Sequence, residues 1–126
     1  MADSLHHINS LPELQTLFSN TTYVAVDFYA DWCGPCKTIA PVYANLSKKH
    51  SAPGVLGFAK VNVDHAQDIA RQYRVSAMPT FMFFKDGKQV GVNGQAMIQG
   101  ADPRSLTAAC EKLGGLAAKR VEEGKK

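Results

Sequence analysis

Nothing in this sequence is long and apolar enough to cross a bilayer. Its first residues, Met1-Ala2-Asp3-Ser4-Leu5-His6-His7, offer neither the basic nor the apolar stretch of a secretion leader. A membrane partner is therefore not expected, and a cytoplasmic location is. Cysteine is sparse and odd in number, three in 126 residues, unlike the even, dense frameworks that staple small secreted domains. Excess charge of one sign is also small. The net charge of +3 falls largely at Lys119, Arg120, Lys125 and Lys126, so it reads as a solvated tail over residues 116–126 rather than a nucleic-acid surface. Internal repeats, low-complexity linkers and nucleotide-binding glycine motifs are missing too. What remains is one domain over residues 1–115, large enough to bury a core of its own.

The apolar pattern alternates between helix and strand. Ser10-Leu11-Pro12-Glu13 has the form of a capping box, and Leu14, Leu17 and Phe18 follow at helical spacing, which predicts a helix to about Asn20. Tyr23 to Tyr29 is β-branched, aromatic and nearly all apolar, as in a strand buried on both faces. A second helix is expected from Cys33 to about His50, with Pro41 removing the donor for the Lys37 carbonyl. Val55 to Val63 predicts another buried strand, and Asp64 the cap of a short helix through Tyr73. Thr80 to Phe84 is a third strong strand, and Asp86-Gly87 turns an antiparallel strand back. Asp102-Pro103 then opens a final helix carrying Leu106, Ala109, Cys110 and Leu113. The order implies an α/β domain with a central mixed β-sheet flanked by helices.

Chemistry concentrates at Cys33-Gly34-Pro35-Cys36, directly after the first strand and at the first turn of a helix. Residues three apart are neighbours there, so a reversible disulfide is geometrically easy. Unpaired backbone N–H groups at a helix N-terminus favour a thiolate on Cys33 over Cys36, which makes Cys33 the expected nucleophile. Gly34 permits close approach of another chain, and Pro35 suits a first helical turn. The competing reading is half of a zinc site. Only Cys110 and four scattered histidines remain to complete one, and none repeats a paired ligand spacing. Cys110 lies on the apolar face of its helix and reads as structural. Asp27, set between Val26 and Phe28, is either a desolvated carboxyl with a raised pKa or a strand-end carboxylate facing water. Trp32 is open to both site and core roles.

Trp32-Cys33-Gly34-Pro35-Cys36-Lys37, preceded by Val26-Asp27-Phe28-Tyr29-Ala30-Asp31 and followed by Met78-Pro79-Thr80, resembles the thioredoxin family over roughly residues 5 to 115. Thioredoxins are themselves a standard example of a lowered cysteine pKa, so the resemblance supplies the direction for Cys33 and no value. The resemblance implies the thioredoxin fold and a protein-disulfide reductase. Asp27 then becomes the buried acid that takes the Cys36 proton, and Lys60 the lysine near it. Pattern alone favours a trans Met78-Pro79 bond. The resemblance implies cis, with Trp32, Gly34, Pro35, Val63, Met78, Pro79 and Gly100 forming a groove that pairs with an extended substrate segment. It implies no cofactor beyond the Cys33–Cys36 disulfide, with electrons from NADPH through a separate flavoprotein, thioredoxin reductase. Implied clients are peroxiredoxins, methionine sulfoxide reductase and ribonucleotide reductase, met by a monomer. A disulfide isomerase and a non-catalytic binding module of the same fold are the rivals. One departure from the family pattern is the stretch from Lys88 to Gln99, longer than the usual hairpin return. It is expected to bulge outward and leave Gly100 beside Pro79.

Overall fold

The computed structural model describes residues 4–124 of the chain; residues 1–3 and residues 125–126, the latter part of the expected tail, lie outside it. The elements are β1 Leu5–Ile8, α1 Leu11–Asn20, β2 Tyr23–Tyr29, α2 Gly34–His50, β3 Leu56–Asn62, α3 Gln67–Gln72, β4 Thr80–Lys85, β5 Lys88–Val90, β6 Met97–Gln99 and α4 Pro103–Gly124. One sheet runs β1-β3-β2-β4-β5, with β6 also paired to β4. β1, β3 and β2 are parallel, and β4 runs against β2. The mixed sheet follows.

Side chains alternate across β2, so this strand serves two cores. Tyr23 and Ala25 join Ile39 and Tyr43 of α2 and Leu106 of α4 on one face; Val24, Val26 and Phe28 join Leu14 of α1 and Ile69 of α3 on the other. The capping box forms, with Ser10 Oγ accepting from the Glu13 amide. Asp102 caps α4 by accepting from the Ser105 amide.

Three features differ from the expectations. β1 pairs with β3 at the sheet edge although its sequence, with His6 and His7 both exposed, carries no strand pattern. Asp64 does not cap α3; Ala66, two residues later, takes that position without a side-chain bond, and the Asp64 carboxylate instead accepts from Trp32. The final helix does not give way to a tail at residue 116 but continues to Gly124 with Ala117 fully buried. At Gly114 α4 passes close to α2, where a Cβ would collide with the His50 ring.

The stretch after β5 bulges outward, as expected. Val90 pairs with Phe83, and Met97 pairs with Met82, so the two halves of the edge strand stand opposite consecutive residues of β4. Everything between them is an excursion. Asn93 and Gly94 have φ of 52° and 80°, and Val92 and Gln95 exchange backbone bonds of 2.9 and 3.0 Å, as in a two-residue primed turn. The tip is exposed, but Val92 folds back into the core beneath α2 and α4. Deleting residues 91–96 should therefore join Val90 to Met97 in register. The expected result is near-normal insulin reduction with dithiothreitol as donor and a stability loss of about 1–2 kcal/mol from the missing Val92 burial. Activity assay and urea unfolding check both; loss of activity in a folded deletion variant would show that the excursion shapes the site.

Candidate active site

β2 ends at Tyr29 and the chain turns within a few residues into α2, so the first helical turn is held at the C-terminal end of the sheet's central strand. Cys33 is the N-cap of α2, its sulfur accepting from the Cys36 amide at 3.2 Å. Cys33 and Cys36 are disulfide-bonded, with Cα atoms 5.3 Å apart, inside the range a disulfide needs. The two residues are 4% and 5% exposed, so exposure does not tell nucleophile from resolving thiol. Cys33 alone holds the cap position. Gly34 and Pro35 stand exposed beside them, and a Cβ on Gly34 would meet nothing.

The Met78–Pro79 bond is cis, as the resemblance implied. It brings the Met78 carbonyl oxygen to 3.6 Å from Cys33 Sγ. Pro79 is buried, and its own carbonyl accepts from the Gly100 amide at 2.8 Å. Gly100 thus stays beside Pro79 despite the excursion. Val63 and Met78 pack against a small cluster of Ala30, Cys33 and Cys36. Trp32 is 69% exposed, which removes the core-packing alternative. Its indole N–H donates to Asp64 Oδ2 at 3.0 Å, and Asp64 is held by its own amide donating to Asn62 Oδ1. Sequence reasoning does not find Asp64 as a site residue. The signal available is Asn62-Val63-Asp64, an Asx-type turn following a strand.

On the strand that leads into α2, Asp27 is 1% exposed, which excludes a strand-end carboxylate facing water. It shares its sheet face with Ala25, under α2, and its register neighbours are Lys60 on β3 and Phe81 on β4. Burial raises its pKa to about 7, opposed by the Lys60 charge. Burial, and then the Asp27 charge, raise Tyr43, whose hydroxyl lies within hydrogen-bond distance of the Ala25 and Ala59 carbonyls. Cys110 is fully buried and pushed up to about 12, by burial first and Glu111 second. A thiol so disposed keeps its proton at neutral pH and is no nucleophile. Among the described residues, no group of three or more His, Cys, Asp and Glu side chains is placed to hold a metal ion. A cavity of about 700 Å³ between α1, β1 and residues 51–54 includes none of the dithiol's neighbours.

A CxxC disulfide at a helix N-cap, beside a cis-proline and following a strand that carries a buried carboxyl, on a mixed sheet covered by helices, defines a thiol-disulfide oxidoreductase domain. Residues 9–111 match the thioredoxin family model. A thioredoxin-like protein of Fusarium culmorum is 74% identical over 117 residues, covering 93% of this chain and 97% of its own. A thioredoxin of Neurospora crassa is 61% identical over 121 residues, covering 96% and 95%. The crystal structure of Malassezia sympodialis thioredoxin superposes with a TM-score of 0.76 at 36% identity, covering 90% of this chain and 93% of that one. The chain belongs to the thioredoxin family, and its activity is dithiol-disulfide exchange on protein disulfides.

Proposed function

We propose that Cys33 attacks, Cys36 resolves and Asp27 carries the proton between resting and resolving states of Cys36. The Cys33 thiolate attacks one sulfur of a client disulfide, forming a Cys33–client bond and releasing the other client sulfur as a thiolate that takes a proton from water. Cys36 then gives its proton to the Asp27 carboxylate and attacks the Cys33 sulfur. The Cys33–Cys36 bond closes and the second client thiolate leaves. Two electrons have passed from the dithiol to the client. The observation that carries the assignment is the Cys33 sulfur at the N-cap, receiving the Cys36 amide, where negative charge on sulfur is favoured.

Client binding uses the strip of Trp32, Gly34, Pro35, Val63, Met78, Pro79 and Gly100, along which an extended peptide pairs with the Met78 backbone. Electrons return from NADPH through thioredoxin reductase; the clients are disulfide-forming enzymes such as peroxiredoxins, methionine sulfoxide reductase and ribonucleotide reductase. The protein acts in the cytoplasm as a monomer, a reading supported by its sparse, odd cysteine count, which suits a reducing compartment. The excursion at residues 91–96 tunes the choice of partner. Insulin reduction tests the reading: turnover with dithiothreitol alone and with NADPH and a fungal thioredoxin reductase is expected, and absence of both would leave a binding module in its place.

A further inference from the structure

The Lys60 ammonium does not pair with the carboxyl that the sheet sets beside it. Asp27 and Lys60 are register partners on β2 and β3, yet Asp27 Oδ1 is buried with no hydrogen-bond partner. Lys60 Nζ instead lies 4.5 Å from the centroid of the Tyr29 ring. Tyr29 is two residues beyond Asp27 on the same strand, so both side chains stand on one face. A lysine's four-carbon stem can serve either neighbour. An aromatic face within about 6 Å attracts a cation, more strongly where water is partly excluded, and Tyr29 and Lys60 are both half-buried.

We propose that Tyr29 is a positioning residue whose ring holds the Lys60 ammonium away from Asp27, leaving the carboxyl without a paired cation. The groups that bear on Asp27 are few. Lys60 faces it from β3, Tyr29 from its own strand, and Tyr43 and the reduced Cys36 thiol belong to α2; Phe81 on β4 is uncharged. From α4, Cys110 acts on Tyr43 and keeps its proton, while Asp31 acts on Tyr29 from the following turn. Lys60 is the cation that opposes burial at Asp27, so its distance sets how firmly the carboxyl keeps a proton near neutral pH. A closer ammonium would favour the carboxylate. The consequence for resolution rests on the acceptor role proposed above; the position of Lys60 does not.

The oxidised protein gives a clean test, because the disulfide cysteines do not titrate. The Asp27 side-chain carbon is followed by NMR through acid and alkaline pH in carbon-13-labelled protein. Tyr29→Phe, which keeps the ring, should leave the midpoint in place. Tyr29→Leu should release Lys60 and move the midpoint about one pH unit toward acid, and Tyr29→Met should do the same should the leucine variant unfold. In a Lys60→Met background, Tyr29→Leu should move nothing further. An unchanged midpoint in Tyr29→Leu overturns the proposal, and so does an equal shift without Lys60, which would mean that the ring acts only by burying Asp27. An acid-shifted midpoint with an unaltered pH profile of resolution supports the positioning and overturns the acceptor role instead.

Discussion

Cys36→Ser is expected to accumulate client proteins disulfide-linked to Cys33, whereas Cys33→Ser should trap none and lose insulin reduction by about a hundredfold or more. The asymmetry comes from the first turn of α2. Both cysteines are nearly buried, so the argument rests on which sulfur can carry negative charge and meet a client. Cys33 is the N-cap, its sulfur receiving the Cys36 amide and facing the Met78 carbonyl beside the cis bond. Trp32, Gly34 and Pro35 lie exposed around it. Cys36 follows one turn in, on the helix that covers Asp27, with no such edge beside it. Serine keeps the size of cysteine but not its acidity, so Cys33→Ser removes the nucleophile and leaves the fold. In Cys36→Ser the first exchange still runs and the second cannot. Non-reducing gels of extract incubated with each variant check this; trapping by Cys33→Ser alone would reverse the roles.

Much of this site is legible in the sequence because its residues are local. Cys33 to Cys36 sit within one turn, and the strand before them is too apolar to be anything but buried. The cis Met78–Pro79 bond is legible only through family resemblance, since residue pattern favours trans. What escapes depends on pairing across the fold. Leu5–Ile8 has exposed histidines at its centre and becomes a strand only because β3 offers an edge. Asp64 reads as a helix cap, but the cap of α3 falls two residues further on and the carboxylate meets Trp32 from across the fold instead. The Lys60 and Tyr29 contact needs the β2–β3 register, which no one-dimensional pattern supplies. Residues 116–124 have the composition of a charged tail, yet Ala117 on an otherwise exposed turn is buried, and one small residue is a weak signal. The outward bulge follows from length alone, while its clean return opposite consecutive residues of β4 does not.

Asp27→Asn should stabilise the protein at alkaline pH and do little at acid pH. The folded carboxyl titrates at about 7, raised by burial from an ordinary 3.8. Below the unfolded value both states hold the proton and the group contributes no difference. As pH rises through the interval, the unfolded chain sheds the proton while the folded chain retains it, so stability falls until the folded carboxyl also ionises. About three pH units at roughly 1.4 kcal/mol each give a loss of about 4 kcal/mol, complete above neutrality. Asparagine stays neutral throughout and removes that slope. Its amide fills a site where Oδ1 finds no hydrogen-bond partner, which costs about 1–3 kcal/mol at every pH. The net gain at alkaline pH is then about 1–3 kcal/mol, and at acid pH the variant is equal or weaker. The same change removes the proposed acceptor of the Cys36 proton, so resolution should slow by roughly a hundredfold near neutral pH while the first attack is nearly untouched. Urea unfolding of both oxidised proteins across pH, with stopped-flow rates on the reduced ones, separates the two effects. Parallel stability curves would mean that Asp27 titrates alike in the folded and unfolded chain, with no raised pKa, and the acceptor role would fail with it.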